Sequence, residues 1–244
     1  MSVGIFGGSA GMKKMSSSQT LSRGIRVLEI VADSTVNLTI AEIAAELDVH
    51  RSIAYRILRT LEEHRLLSRD EAGRIRTASG LAALARSVQR DLQTAAMPEL
   101  TKIANELSMT AFIAVWEHDM CTTLQSVEPL HSHRAIVHRP GSVHGMDIGA
   151  PGIAIQSKYT RGQWDAMQTG IEYREPARAA RIEGYATSED EVIQGVTAIA
   201  VPISHNGPTP AAIAVVFATS TVDDRERIVR ALKEAALNIG DELD

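Results

Sequence analysis

The stretch Leu38-Thr39-Ile40-Ala41-Glu42-Ile43-Ala44-Ala45-Glu46-Leu47-Asp48-Val49-His50-Arg51-Ser52-Ile53-Ala54-Tyr55-Arg56-Ile57-Leu58-Arg59-Thr60-Leu61 reads as two short helices joined by a tight turn. Thr39 and Glu42 have the spacing of a capping box, in which each side chain satisfies a backbone donor at the helix start. Leu38 and Ile43 bracket the box as a hydrophobic staple. Ile40, Ile43, Ala44 and Leu47 fall at i, i+3, i+4 and i+7 and line one apolar stripe. Asp48 follows, a residue that tolerates the backbone of a sharp reversal. The second helix, from about His50 to His64, is expected to bury Ala54, Ile57, Leu58 and Leu61. Its opposite stripe carries Ser52, Tyr55, Arg56 and Arg59, with Arg51 beside them at the helix start and no acidic residue between Arg51 and Leu61. Such a face suits a helix entering the major groove, where arginines pair with guanine or phosphate. A solvated face on an ordinary helical hairpin is the competing reading.

The flanks favour the first. Leu21, Ile25, Leu28 and Ala32 predict an amphipathic helix before the pair, and Leu66 to Thr77 reads as a hairpin turning at Asp70-Glu71-Ala72-Gly73. Three helices and then a hairpin with Arg69, Arg74 and Arg76 is the order of a winged helix-turn-helix. The arginines put positive charge where a minor groove or phosphate backbone would lie.

The chain has 244 residues, 44% of them hydrophobic, which fits two modest globular domains. Its net charge of −5 argues against a nonspecific nucleic-acid binder but not against a specific one whose arginines are gathered on one surface. Cys121 has no cysteine to pair with, so a reducing, cytoplasmic setting is expected. No apolar run approaches the ~20 residues of a membrane span. Residues 1–18, rich in Gly, Ser and Met, are read as a disordered extension without a secretory h-region.

After the hairpin, Gly80 to about Gln93 predicts a stiff connecting helix with Leu81, Leu84, Ala85 and Val88 on one side. Pro98 fits the first turn of a further helix that buries Leu100, Ile103, Ala104 and Leu107. Thr110–Glu117 and Met120–Val127 predict a hairpin turning at His118-Asp119, with a third strand at His133–His138. Pro140, Gly141, Gly145, Gly149, Pro151 and Gly152 mark a long loop over a cavity. Helical stretches follow near Ile153–Tyr159, Thr160–Gln168 and Pro176–Glu183, then strands at Val196–Ile203 and Ala211–Ala218 and a closing helix from Asp223 to about Leu243. The second unit is therefore α+β, with a sheet and a covering loop that suit a small-molecule pocket.

These residues resemble the IclR family of bacterial transcriptional regulators, over nearly everything after residue 18. The resemblance is carried by Ser22–Glu29, Leu38–Ala44 and Arg51–Leu58, and later by Glu183-Gly184-Tyr185-Ala186, Gln194-Gly195-Val196-Thr197 and Ala200-Val201-Pro202-Ile203. It implies a winged helix-turn-helix over 19–79, a linker helix over 80–94, and a GAF-like effector-binding domain over 95–244. It also implies a homodimer or dimer of dimers on a palindromic double-stranded operator, with repression the commoner family outcome.

Asp48-Val49-His50 departs from the family's usual Gly-Leu-Pro. Gly152, whose amide can approach a ligand carboxylate, matches the glycine of the family's Gly-Lys-Ala, but the lysine is Ile153. Ala198 stands where a cysteine often lines the pocket, and Ala214 and Val216 where some members carry hydroxyls. The loss of polar anchors suggests a larger or more apolar effector than a two- or three-carbon acid, and an organic or aromatic acid is expected.

The expected DNA-facing set is Thr39, Arg51, Ser52, Tyr55, Arg56, Arg59, Arg74 and Arg76. For the effector it is Phe112, Arg134, Met146, Asp147, Gly152, Glu191, Val196, Ala198, Ala214 and Val216, with Phe112, Met146, Val196 and Val216 equally readable as plain core. Glu191 belongs to the acidic run Glu189-Asp190-Glu191, which a solvated loop would also explain. His131, His133, His138 and His144 with Asp147 resemble a metal cluster by composition, but no metal and no cofactor is expected. His118 and Cys121 lack the partners of a zinc site. Neither a nucleophile elbow nor a phosphate loop is present, so catalysis is not expected. An enzyme, or a sensor whose winged helix binds protein, is the alternative.

Overall fold

A computed structural model describes residues 18–130, 135–221 and 224–244. The expectations placed on residues 1–17, His131, His133, Arg134 and Asp223 lie outside the described residues. The chain divides between Val88 and Gln89 into two compact units.

In the first unit, α1 (Gln19–Asp33), α2 (Ile40–Glu46) and α3 (Arg51–Glu63) are followed by β1 (Leu67–Arg69), β2 (Ile75–Thr77) and α4 (Gly80–Ala85). The capping box forms as the spacing requires: Glu42 N donates to Thr39 Oγ1 at 3.2 Å and Thr39 N donates to Glu42 Oε2 at 2.7 Å. Thr39→Ala is expected to cost about 1 kcal/mol of head stability, read as a lower urea midpoint at unchanged slope. The α2–α3 turn runs through Asp48 at φ 51, a left-handed residue of the kind a short polar side chain tolerates. His50 caps α3, its Nδ1 accepting from Ser52 N at 3.3 Å.

The core joins Val27 and Val31 of α1, Ile43 of α2, the four expected residues Ala54, Ile57, Leu58 and Leu61 of α3, and Leu67 and Ile75 of the hairpin. The hairpin turns through Asp70, whose carboxylate accepts from Ala72 N, Arg74 N and Asn37 Nδ2. A bridge from Leu38 to Ile75 ties it to the start of α2.

The buried face of α1 differs from expectation. Leu21 and Ile25 are 64% and 50% exposed, and Val27 and Val31 are buried instead. The face turned inward is Gly24-Val27-Leu28-Val31, also at helical spacing. A Cβ on Gly24 would reach 3.9 Å from Ile57 Cγ2, so α1 passes close to α3 at that point.

The continuous helix expected from Gly80 to Gln93 is two helices. Gln89 takes a left-handed conformation at φ 45, its side chain donating to Thr209 Oγ1 at 2.7 Å, and α5 (Arg90–Leu107) starts anew behind it. Pro98 sits inside α5, not in its first turn. It is exposed there, so the Thr94 carbonyl that loses its donor faces water.

In the second unit β3 (Thr110–Glu117), β4 (Met120–Val127), β5 (Val143–Gly145), β6 (Ala186–Glu189), β7 (Val196–Ile203) and β8 (Ala211–Ala218) form one antiparallel sheet in the order β5-β4-β3-β8-β7-β6. Residues 135–139 are not a strand, which corrects that expectation; β5 takes the third place instead, and β6 had no strand-like run to announce it. Alternation on the central strands sorts residues to two cores. Ala111, Ile113, Val115, Ile199, Val201, Ile213 and Val215 meet α5 and α9 (Arg225–Leu243). Phe112, Ala114, Ala198, Ala200, Ala214 and Val216 meet α6 (Ala150–Gln156), α7 (Arg161–Ala166) and α8 (Glu175–Glu183). Alanines dominate this second face, which lets α6 lie close to the sheet. No described helix is long and apolar enough to cross a membrane.

Candidate functional site

Arg51, Ser52, Tyr55, Arg56 and Arg59 are all exposed on one side of α3, opposite its buried stripe. The arginines are not equivalent. Arg59 Nε donates to Glu63 Oε1 at 3.1 Å, one turn on. Arg69 is held at 2.6 Å by Glu62, which pins the hairpin to α3. Arg74 donates to Asn37 O at 3.1 Å and Arg76 to Ser68 Oγ at 3.2 Å, both from exposed positions. Arg51 and Arg56 form no ion pair among the described residues. The Thr39 hydroxyl, counted among the DNA-facing groups, is engaged in its own capping box.

The second unit contains a cavity of about 430 Å³, measured out to its mouth. Phe112, Val196, Ala198 and Val216 line it, as the sequence suggested. His138, His144, Gly149, Ala150, Ser188 and Val192 complete much of the remainder. These come from the β4–β5 connection, β5, the start of α6, β6 and the β6–β7 loop, and only the fold brings them together.

Several expected residues lie elsewhere. Met146 and Ala214 are buried in the core behind the wall. Asp147 is exposed and does not line the cavity. Gly152 lies inside α6, where a Cβ would come within 2.7 Å of Met146 O, so the glycine answers to helix packing. The long loop is accordingly shorter than expected, ending where α6 begins.

Glu191 is exposed and does not line the cavity, but its carboxylate bonds to the start of α6. Its Oε2 accepts from Gly149 N at 2.7 Å and its Oε1 from Arg174 Nη2 at 2.9 Å. Burial raises the basicity of this carboxylate, but the bonds from Arg174 and Gly149 outweigh burial and hold it below the usual 4.5. A depressed folded value gives stability that is present above 4.5 and disappears as pH falls through the folded value. Discounted for solvent screening, the cost of Glu191→Gln is expected to be about 0.5–1 kcal/mol at neutral pH, with the gap to wild type closing as pH is lowered below 4.5 in urea titrations.

His144 Nδ1 lies 2.9 Å from Gly145 O, which can only accept, so the ring carries its hydrogen there. His138 Nε2 lies 2.7 Å from Thr123 Oγ1, and its ring packs on Phe112 with centroids 4.2 Å apart. Burial, and then repulsion from the charge His144 would take up on protonation in acid, pushes His138 down to about 4. Thr123 with His138 is a hydroxyl–imidazole pair, but Thr123 is buried and outside the cavity lining, which suits packing and not nucleophilic attack. Among the described residues no group of three or more His, Cys, Asp or Glu is arranged to hold a metal. Burial pushes the Cys121 thiol up to about 12, which leaves it an inert core residue.

A winged helix bearing an outward basic stripe, followed by a sheet domain with an open cavity, defines the class of ligand-responsive DNA-binding regulators. Comparison with known proteins gives the same answer. The IclR helix-turn-helix domain matches residues 20–71, and the bacterial transcriptional regulator IclR C-terminal domain matches residues 173–241. The HTH-type transcriptional regulator XynR of Escherichia coli is 25% identical over 228 residues, covering 85% of this chain and 89% of its own. An IclR transcriptional regulator from Alicyclobacillus acidocaldarius superposes with a TM-score of 0.74 at 25% identity, over 94% of this chain and 100% of its own. An IclR homologue from Microbacterium hydrocarbonoxydans, solved with 4-hydroxybenzoate, has a TM-score of 0.74 at 22% identity, over 92% and 99%. The chain belongs to the IclR family of transcriptional regulators, with a helix-turn-helix DNA-binding domain and a C-terminal ligand-binding domain.

Proposed function

We propose that the chain acts as a cytoplasmic repressor. Arg51, Ser52, Tyr55, Arg56 and Arg59 meet the major groove, Arg74 and Arg76 meet the phosphate backbone beside it, and a small metabolite in the 430 Å³ cavity alters operator affinity. The observation that carries this is the solvent-facing stripe of α3, whose Arg51 and Arg56 have no protein partner among the described residues. An unpaired guanidinium is ready for a guanine edge or a phosphate without first breaking a bond.

The protein works as a homodimer, or a dimer of such dimers, so that two recognition helices reach half-sites about 34 Å apart. A small change in the spacing of the two heads then changes affinity. The largely apolar lining, with Phe112 on one wall, suits a small ring-bearing ligand, and the Microbacterium homologue solved with 4-hydroxybenzoate illustrates one. The chain acts by binding and not by catalysis.

Footprinting of the DNA upstream of its own and neighbouring genes tests this reading. Two protected half-sites about one helical turn apart are expected, weakened by the cognate metabolite. Protection without twofold spacing, or none, would overturn it.

A further inference from the structure

The cavity wall specifies the chemistry of its occupant. Beside the start of α6 are groups a carboxylate would seek, and most of them are engaged, although Arg174 Nη1 is buried without a hydrogen-bond partner among the described residues. Gly149 N donates to Glu191 at 2.7 Å, Ala150 N donates to Ser188 Oγ at 2.9 Å, and Arg174 faces Glu191 at 2.9 Å. Among the described residues the lining holds no lysine or arginine. A carboxylate entering this space would lose its water, a costly transfer, and no described lining residue offers it a cation.

What the wall offers is an acceptor. With its hydrogen on Nδ1, donated to Gly145 O, neutral His144 leaves the Nε2 lone pair without a partner among the described residues. That edge of the ring faces the cavity rim: a Cβ built on Gly149 would lie 3.2 Å from Cε1 and 3.5 Å from Nε2. Burial lowers the basicity of His144 and keeps this tautomer neutral. Around it the surfaces are apolar: Phe112, Val192, Val196 and Val216.

We propose that the effector is an uncharged phenol of one ring, whose O–H donates to His144 Nε2 while Phe112, Val192, Val196 and Val216 enclose the ring. This rests on the cavity being the effector site. It departs from the organic acid expected from sequence, because the Gly152 amide that was to meet a carboxylate lies within α6 instead.

Calorimetric titration of the full-length protein at neutral pH with 4-methylphenol, toluene and benzoate tests the assignment. 4-Methylphenol is expected to bind at least about tenfold tighter than either of the others, the worth of one good hydrogen bond. His144→Phe should abolish the preference over toluene, and His144→Gln, whose amide oxygen also accepts, should restore part of it. Ala198→Phe, or Val196→Phe should the first fail to fold by circular dichroism, fills the cavity and should abolish binding.

Benzoate binding more tightly than 4-methylphenol, and lost on filling the cavity, would overturn the phenol and leave the cavity as the effector site. 4-Methylphenol binding undiminished by a folded cavity-filling variant would overturn the cavity reading itself. Absence of heat from all three probes would also overturn the phenol, leaving the metabolite-dependent footprint to judge the site.

Discussion

Arg56→Ala is expected to weaken specific operator binding by about 1–3 kcal/mol while leaving thermal stability unchanged. The two halves of that expectation have separate causes. Arg56 is exposed, one turn after Ser52 on the outward stripe of α3, and forms no ion pair among the described residues. Alanine is at least as good a helix former, so the fold loses nothing by the change. The complex loses a guanidinium that would contact a base edge bidentately or neutralise a phosphate. Gel shifts across a salt series distinguish these. Loss confined to one operator position marks base contact, and a salt slope reduced by about 1 with uniform weakening marks phosphate contact. Arg59→Ala is expected to have the smaller effect, because Arg59 must first release Glu63, 3.1 Å away on its own helix. Operator affinity unchanged in Arg56→Ala would remove Arg56 from the interface.

Much of the architecture was legible because it is written locally. The capping box of Thr39 and Glu42, the reversal at Asp48, the four buried residues of α3 and the two-residue turn at His118-Asp119 each depend on spacings of a few residues. Strands β7 and β8 announced themselves as apolar runs of the right length, and β3 and β4 as two runs either side of a two-residue turn. What failed needed tertiary information. α1 carries two interleaved apolar stripes, and only its approach to Ile57 selects Val27 and Val31 over Leu21 and Ile25. Pro98 is tolerated inside α5 because that side is wet, which its neighbours in sequence do not reveal.

The cavity was half legible for the same reason. Phe112, Val196, Ala198 and Val216 lie on strands whose alternation could be counted. His138, His144 and Ser188 reach the same space from separate segments, and no spacing relates them. The histidines did stand out in sequence, where their composition suggested a metal cluster although no metal was expected and surface or pocket lining was the favoured reading. Placement gives them a different character, one packed on Phe112 and one an acceptor on the wall.

Trp164→Ala is expected to be the most damaging single change, costing about 3–5 kcal/mol. Trp164 is 1% exposed on α7, a short helix fixed by a capping box between Thr160 and Gln163. Its ring stacks on Trp116 with centroids 4.8 Å apart and meets Tyr159 at 5.8 Å. Its Nε1 donates to Ile171 O at 2.8 Å, which secures the chain entering α8. Truncation leaves a void the size of an indole and a carbonyl that keeps only the long 3.5 Å bond from Thr169 Oγ1, two penalties that add. For a domain of this size the midpoint should fall by roughly 6–20 °C. Trp164→Phe, which keeps most of the volume and loses only the N–H, should recover the greater part. Because α6, whose first residues line the cavity, belongs to the same core, ligand affinity should fall with stability. The head has a separate core, so operator binding measured well below the midpoint should persist. Operator binding lost together with the second unit's fold, at a temperature where the head remains folded, would show instead that the winged helix requires that unit intact to hold its two copies in register.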